Sequence, residues 1–143
     1  MDIIALFILC AQMNRECTII NSSVSGEDAV VQSAINHDIP IELALAVAHQ
    51  ESRFDCDAQS SVGAVGVMQV MPKTAEYLGY DPTKLHDCEY GAEVGIKYLK
   101  QQLNRTNNDV RRALIAYNCG PNCRNPQNQE TSNYVRKIMQ SIE

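Results

Sequence analysis

The segment from Ile41 to Ser52 constrains this chain more than any other. It has helical spacing and carries apolar or small residues on almost every side, namely Leu43, Ala44, Leu45, Ala46, Val47 and Ala48. Pro40 precedes it and suits an opening helical turn. Because a helix that is apolar all round is stable only when other elements cover it, we expect a central, buried helix.

Other segments show the periodicity of helices that could surround it. Ser25 and Asp28 have the spacing of a helix start, with Val31, Ala34 and Ile35 on one face. Later helical segments are a short one from Pro72 to Gly79, one from Glu89 to Leu103, one capped by Asp109 and ended at Asn118 to Pro121, and one from Glu130 to Ile142.

Helical periodicity stops between Asp55 and Met71, where Gly63 and Gly66 interrupt a valine-rich stretch. Such a stretch predicts turns with a small β excursion. At 143 residues, the chain has the size of one domain. The predicted fold class is therefore a mostly α, single helical domain with a small irregular β and turn segment around residues 55–71.

Gly91 and Gly95 share a helix face, where they would let another helix approach closely.

Charge and residue pattern exclude several functions. The net charge is −5 with no basic run, so nucleic acid is not an expected partner. The histidines at 37, 49 and 86 are scattered, and the chain has no HExxH, phosphate loop, GxGxxG or GxSxG motif. We therefore expect no metal site, no cofactor and no serine nucleophile.

The N-terminus contains an apolar run, Ile3 to Cys10, that is too short to span a bilayer. Residues 1–17 are either a signal peptide or an N-terminal segment packed on the domain, although Asp2 stands where a signal carries positive charge. The domain proper is predicted over residues 18–143. A periplasmic or secreted location is preferred, with a phage particle or the cytoplasm as alternatives.

The six cysteines favour an oxidising compartment, although six cysteines allow fifteen pairings. Cys119 and Cys123 are close enough across Gly120-Pro121 to close a small loop. Free cytosolic thiols are the alternative.

Glu51 is the charged residue in the most unusual position. It continues the apolar stripe of Ala44, Val47 and Ala48 at helical spacing, so it should be partly buried. Burial and the negative end of the helix dipole would both raise its pKa, as a general acid requires. The alternative is a carboxylate paired with Arg53 or held by a buried hydrogen bond.

A longer pattern surrounds these residues. HQESRF at 49–54, AQSSVGAVGVMQVMPKTA at 58–75, GIKYL at 95–99, ALIAYNCGP at 113–121 and ETSNYV at 130–135 occur in order. Together they resemble the soluble lytic transglycosylase (SLT) family, whose catalytic domain has a goose-type lysozyme fold. The resemblance covers residues 27–138.

The resemblance implies an enzyme that cleaves the β-1,4 bond between N-acetylmuramic acid and N-acetylglucosamine in peptidoglycan. Glu51 would be the sole acid and base, and the C6 hydroxyl of the muramic acid would attack C1 to leave a 1,6-anhydro product. Most glycosidases need a second carboxylate, for which Asp55 and Asp57 are the candidates here. A tethered sugar hydroxyl makes that carboxylate dispensable.

The resemblance also implies roles for residues around the acid. Tyr117 would orient the catalytic carboxyl by a hydrogen bond, with Asn118 beside it. Gln69 would bind a sugar amide or peptide stem, and Met68 would pack beneath the sugar rings. Further substrate-facing residues would be Ser60, Glu130 and Tyr134, of which Tyr134 could equally be a core residue.

Some positions depart from the family pattern. Gly91-Ala92 replaces Asn-Ile, Cys119 replaces alanine, and Ser132 replaces arginine after Glu130-Thr131. A hydrolytic goose-type lysozyme and a non-catalytic wall-binding protein remain alternatives. The expected partner is the peptidoglycan glycan strand. The protein is expected to be a monomer without a membrane span, and it could serve a secretion, conjugation or phage assembly.

Overall fold

The computed structural model describes residues 23–143, which form six α-helices and one 3₁₀ turn. The predicted leader or N-terminal segment, residues 1–17, lies outside the described residues, as do Cys10 and Cys17. The elements in chain order are α1 (Gly26–Asn36), α2 (Ile41–Ser52), α3 (Pro72–Tyr77), the 3₁₀ turn (Pro82–Lys84), α4 (Cys88–Arg105), α5 (Val110–Cys119) and α6 (Gln129–Ile142). The prediction of a mostly α fold is confirmed.

Helix α2 packs against both α1 and α6. Its buried face consists of Leu43, Ala44, Val47 and Ala48. The opposite face is at the surface, where Glu42 and His49 are exposed. The expectation of a helix covered on every side is thus wrong in one respect, because its neighbours cover α2 along a broad stripe only.

Helix α4, the longest within residues 23–143, packs against both α1 and α5. Its apolar residues at helical spacing, Ala92, Ile96, Leu99 and Leu103, are all buried, which agrees with the predicted helix from Glu89 to Leu103. The core is therefore one cluster enclosed by five helices, in which α1 contacts both α2 and α4.

Gly91 and Gly95 make room on α4, but not for another helix as expected. A β-carbon on Gly95 would collide with the side chain of Met68, and one on Gly91 would lie 2.6 Å from the carbonyl oxygen of Leu85. These neighbours belong to the irregular segment and to the turn before α4. The glycines therefore seat loops against the helix, which spacing within one helix could not reveal.

The irregular segment between α2 and α3 contains two antiparallel bridges, Gln59 with Val65 and Val65 with Val70. The predicted β excursion around residues 55–71 is therefore present as bridges without extended strands. A disulfide joins Cys56 in this segment to Cys88 at the start of α4. The segment is thus anchored covalently to the longest helix.

Helix α1 begins as predicted, since the Ser25 side chain accepts a hydrogen bond from the Asp28 amide. Its buried face differs from the expected one: Ile35 is 53% exposed. The residues that pack inward are Ala29, Val30, Ser33 and Ala34. The apolar periodicity therefore predicted the helix correctly but the wrong buried face. Ser33 faces inward because its hydroxyl donates to Glu93 on α4. Within residues 23–143, no helix has the length and apolar character needed to cross a membrane.

Candidate active site

Glu51 lies in the last turn of α2 and ends a fully buried stripe of Ala44, Val47 and Ala48. The helix ends one residue later, at Ser52, because Arg53 and Phe54 both adopt left-handed backbone angles, with φ of 52° and 65°. Two such residues in succession are uncommon outside glycine and turn the chain sharply. The carboxyl group is thereby placed where the helix gives way to the irregular segment.

The carboxyl group of Glu51 is held by Tyr134 from α6, whose hydroxyl donates to Oε1 at 2.7 Å. Burial raises the pKa of Glu51 to about 7, and the Tyr134 hydrogen bond opposes this rise by favouring the ionised form. Burial also raises the pKa of Tyr134 well above its ordinary value, so this hydroxyl stays protonated and keeps donating. Glu51 can therefore give up or accept a proton near neutral pH.

Glu51 lines an open cavity of about 340 Å³ between α2, α5 and α6. The other lining residues are Gln50, Asn118, Glu130, Asn133, Tyr134 and Lys137. Asp55 and Asp57, the candidates for a second carboxylate, are exposed and are not among them. Among residues 23–143, the carboxylate that shares the Glu51 cavity is Glu130. Two larger grooves, of about 590 and 550 Å³, lie elsewhere on the surface and do not include Glu51.

Tyr117 does not make the hydrogen bond expected of it. Its hydroxyl donates to the carbonyl oxygen of Met68 at 2.8 Å, and its ring packs against Tyr98 with 5.1 Å between centroids. Tyr134 bonds the Glu51 carboxyl instead. Both tyrosines are buried, but only the path of α6 brings a hydroxyl to Oε1 of Glu51.

The segment beside Glu51 is held by side chains that bind its carbonyl oxygens. Ser52 donates to the Val67 carbonyl at 2.7 Å, next to the Met68 carbonyl that Tyr117 binds. Gln69 turns back on its own segment, and its amide nitrogen donates to the carbonyls of Ala58 at 3.1 Å and Gly66 at 2.9 Å. These bonds give the segment one shape without a regular sheet.

Two expected substrate contacts differ in this segment. Met68 is fully buried, so it supports the segment from below and offers no surface to a sugar ring. Ser60 accepts a hydrogen bond from the Ala64 amide at 3.0 Å and lines neither cavity beside Asn118. Their place in the motif reflects the shape of the segment, whereas Gln69 does reach the cavity described next.

A second cavity, of about 260 Å³, continues on the other side of Asn118. Its lining residues are Gln69, Val70, Met71, Thr74, Tyr98, Tyr117, Asn118, Cys119, Gly120 and Pro121. Asn118 belongs to both cavities, so the two form neighbouring parts of one groove. The Cys119–Cys123 disulfide, which was predicted, closes the loop at this end.

Sequence reasoning missed several side chains of the site. Tyr98 lies within the GIKYL motif, so the motif could have marked it as a site residue. The motif does not predict the contact of Tyr98 with Tyr117. Thr131 is 2% exposed and donates to Asn118 at 2.8 Å. Lys137 lines the Glu51 cavity and follows no motif that would have marked it.

A family model, the transglycosylase SLT domain, matches residues 29–140. The chain therefore belongs to the transglycosylase SLT domain family. Among curated relatives, the soluble lytic murein transglycosylase of Escherichia coli K12 is 37% identical over 92 residues, covering 59% of this chain and 14% of that protein. The transglycosylase of Enterobacteria phage PRD1 is 34% identical over 119 residues, covering 80% of this chain and 42% of that protein.

Solved structures agree with this assignment. The 70 kDa soluble lytic transglycosylase of Escherichia coli superimposes with a TM-score of 0.72 at 26% identity, over 80% of this chain and 23% of that one. An inactive mutant of the lytic transglycosylase Slt from Pseudomonas aeruginosa gives 0.71 at 25% identity, over 93% and 26%. The chain spans less than half the length of each of these relatives.

Proposed function

We propose that this protein is a peptidoglycan lytic transglycosylase that cleaves the bond between N-acetylmuramic acid and N-acetylglucosamine. Glu51 is the single general acid and base, and the product ends in 1,6-anhydro-N-acetylmuramic acid. One observation carries the proposal: a carboxyl with a pKa of about 7 lines an open cavity and is bonded by Tyr134. Membership of the transglycosylase SLT domain family supports this reaction class.

In the first step, Glu51 acts as an acid. Tyr134 donates to Oε1, so the acidic proton resides on Oε2. That proton passes to the oxygen of the glycosidic bond as the bond from this oxygen to C1 of the muramic acid breaks. An acid with a pKa near the working pH is efficient because it is protonated often enough and still gives up its proton readily.

In the second step, the Glu51 carboxylate takes the proton of the C6 hydroxyl on the same muramic acid. The C6 oxygen then bonds to C1, the enzyme regains its protonated acid, and no water is consumed. Because this hydroxyl is tethered to the reacting ring, its effective concentration is high and no second carboxylate is needed. Tyr134 stabilises the carboxylate between the two steps by its hydrogen bond.

The groove around Asn118 binds the glycan strand. Asn118 offers an amide group to the acetamido and peptide groups of peptidoglycan, and Gln69, whose amide nitrogen already donates twice within its segment, offers Oε1 as an acceptor. Glu130 lies at the exposed rim of the Glu51 cavity. Tyr117 acts from behind by holding the Met68 carbonyl. No metal or cofactor enters this mechanism.

The replacement Glu51→Gln tests the assignment. Purified wild-type protein should release anhydro-ended fragments from sacculi, and mass spectrometry identifies them because they are lighter than reducing ends by one water. The variant should bind sacculi and release none. Substantial turnover by the variant would contradict the role given to Glu51.

Hydrolysis is the second candidate, and the presence of Glu130 in the Glu51 cavity favours testing it. A hydrolase would use this carboxylate to activate water or to stabilise the sugar cation. In that case the products would carry reducing ends, and Glu130→Gln would abolish turnover. Under our proposal this variant keeps the anhydro product and most of the rate. A zymogram that shows binding to sacculi without clearing would instead favour a non-catalytic wall-binding protein.

We further propose that the catalytic domain occupies residues 18–143 and acts outside the cytoplasm on glycan strands. The disulfides that the structure describes within residues 23–143, Cys56–Cys88 and Cys119–Cys123, support an oxidising location. Thiol titration of the native protein, before and after reduction, tests the location. Six free thiols before reduction would remove the reason for it.

A further inference from the structure

A chain of hydrogen bonds runs behind the groove and ends on Asn118. Asn128 donates from Nδ2 to Oγ1 of Thr131 at 3.1 Å, and Thr131 donates from Oγ1 to Oδ1 of Asn118 at 2.8 Å. Thr131 is 2% exposed, so its hydroxyl has little access to water. The three side chains belong to α5, to the start of α6 and to the residue that caps α6.

The direction of this chain follows from the donors that each group has. Asn128 is the cap of α6, and its Oδ1 accepts from the Thr131 amide at 2.8 Å. Its Nδ2 therefore faces away from that amide, and gives one hydrogen to the Asn125 carbonyl at 2.8 Å and the other to Thr131. A hydroxyl has one proton to donate, so Thr131 accepts from Asn128 and donates onward to Asn118.

The acceptor in Asn118 must then be its oxygen. An amide turned the other way would point Nδ2 at Thr131 and leave the buried hydroxyl proton without an acceptor, which is costly. With Oδ1 fixed, Nδ2 is left as a donor. Within residues 23–143, no protein group accepts from it, and Asn118 lines both cavities of the groove.

We propose that Thr131, itself oriented by Asn128, is a positioning residue that presents Nδ2 of Asn118 to a carbonyl oxygen of the glycan. The carbonyl of an acetamido group is the matching acceptor, because every sugar of the strand carries one and an amide nitrogen pairs with it without any charge. This inference rests on the proposed function for its ligand. It adds a source of specificity, because the residue that caps α6, Asn128, sets the orientation of the Asn118 amide through Thr131.

The experiment measures glycan binding by Glu51→Gln protein, so that turnover does not enter. The probe is a soluble N-acetylglucosamine oligomer, and titration calorimetry measures its binding affinity. Thr131→Val keeps the shape of the side chain and removes its donor, and it should weaken binding about threefold to tenfold, as the loss of one oriented hydrogen bond does. Thr131→Ser keeps the hydroxyl and should bind as tightly as the Glu51→Gln parent.

A second variant tests whether a loss of binding by Thr131→Val reflects misfolding of the core. Asn128→Asp keeps the acceptor that caps α6, and aspartate is as good a cap as asparagine. It replaces Nδ2 by an oxygen, to which Thr131 would then donate in preference to Asn118. It should therefore weaken binding as Thr131→Val does, with unchanged circular dichroism.

The combination with Asn118→Ala decides whether Thr131 acts through Asn118. Once the amide is gone, Thr131→Val should cause no further loss of affinity. Equal losses in the presence and absence of Asn118, or no loss from Thr131→Val and Asn128→Asp, would overturn the proposal. The products of the wild-type enzyme test the proposed function separately, so failure of one leaves the other standing.

Discussion

The hydroxyl of Tyr134 lies 2.7 Å from Oε1 of Glu51 and joins α6 to the last turn of α2. The two residues are 83 positions apart in the chain, yet they form one acid with a defined proton position. Burial raises the pKa of Glu51, and this hydrogen bond limits the rise. The bond thus fixes the geometry of the carboxyl and also tunes its proton affinity.

The pH dependence of turnover follows from this pair. Free enzyme is competent while Glu51 is protonated, so kcat/KM should fall above a pH of about 7, the pKa of that group. Tyr134→Phe removes a bond that favours the ionised form, so the pKa of Glu51 should rise and the alkaline limb should move to higher pH. The rate should also fall, because the carboxyl loses its orientation. Rates on solubilised peptidoglycan between pH 5 and 9 provide the measurement.

Tyr117→Phe is the matched control for Tyr134→Phe. Both changes remove one buried hydroxyl from a helix that lines the site, but the Tyr117 hydroxyl bonds the Met68 carbonyl. We expect a loss of about 1 to 3 kcal/mol in the free energy of unfolding, since a buried carbonyl loses its donor. The alkaline limb should stay in place. A shift equal to that of Tyr134→Phe would contradict the separate roles.

The residue pattern predicted that Glu51 is partly buried, whereas the resemblance to the family assigned its hydrogen-bond partner to Tyr117 and not to Tyr134. The stripe of Ala44, Val47 and Ala48 lies within one helix, so local periodicity was enough to predict a partly buried carboxyl at its end. The choice between Tyr117 and Tyr134 depends on how α5 and α6 cross α2, which no local pattern encodes. Both tyrosines end or interrupt an apolar stripe, and their surroundings in sequence do not distinguish them.

The stability of the fold should depend on the charge of Glu51. Its pKa is raised from 4.5 to about 7 on folding, so ionisation is harder in the folded protein. Above pH 7 the folded state bears the full cost, which linkage puts at about 3 kcal/mol, and below pH 4.5 it bears none. The ionisation of Glu51 therefore lowers the free energy of unfolding as the pH rises from 4.5 to about 7.

Glu51→Gln removes this cost and keeps an oxygen that can accept from Tyr134. The variant should melt at a higher temperature than wild type at pH 8, and the two should converge as the pH falls to 4.5. Thermal unfolding across that range, followed by circular dichroism, measures the difference. A constant difference at all pH values would show that Glu51 does not titrate in this window.

Long-range contacts limited the sequence reading in a second place. The Cys119–Cys123 bond spans four positions and was predicted from proximity, whereas Cys56–Cys88 spans 32 positions and was not. Its formation depends on the irregular segment lying against the start of α4. The glycines at 91 and 95 that permit this approach were correctly assigned to packing, but the partner they admit is a loop.

The Cys56–Cys88 and Cys119–Cys123 disulfides should have different effects when each is replaced by a pair of serines. In a chain-entropy model the longer loop of Cys56–Cys88 contributes about 4 kcal/mol and the shorter one about 2 kcal/mol to the free energy of unfolding. Cys119 adjoins Asn118 and lines the second cavity, so its loss should weaken glycan binding as well. Urea unfolding and oligosaccharide titration of the two double variants separate these effects. Each variant serves as the control for the other.

Gly95→Ala should destabilise the protein, although the same change usually stabilises a helix. In an exposed helix, alanine is favoured over glycine by about 1 kcal/mol. At this position the added carbon would collide with the side chain of fully buried Met68, so the segment that includes Gln69 must move. We expect a net loss of about 1 to 3 kcal/mol, the usual cost of overpacking, together with a reduced rate. Asn104→Ala, at an exposed site on the same helix, should change stability by no more than about 0.5 kcal/mol and leave the rate intact. If Gly95→Ala were as stable as wild type and equally active, the contact between α4 and Met68 would not be what shapes the site.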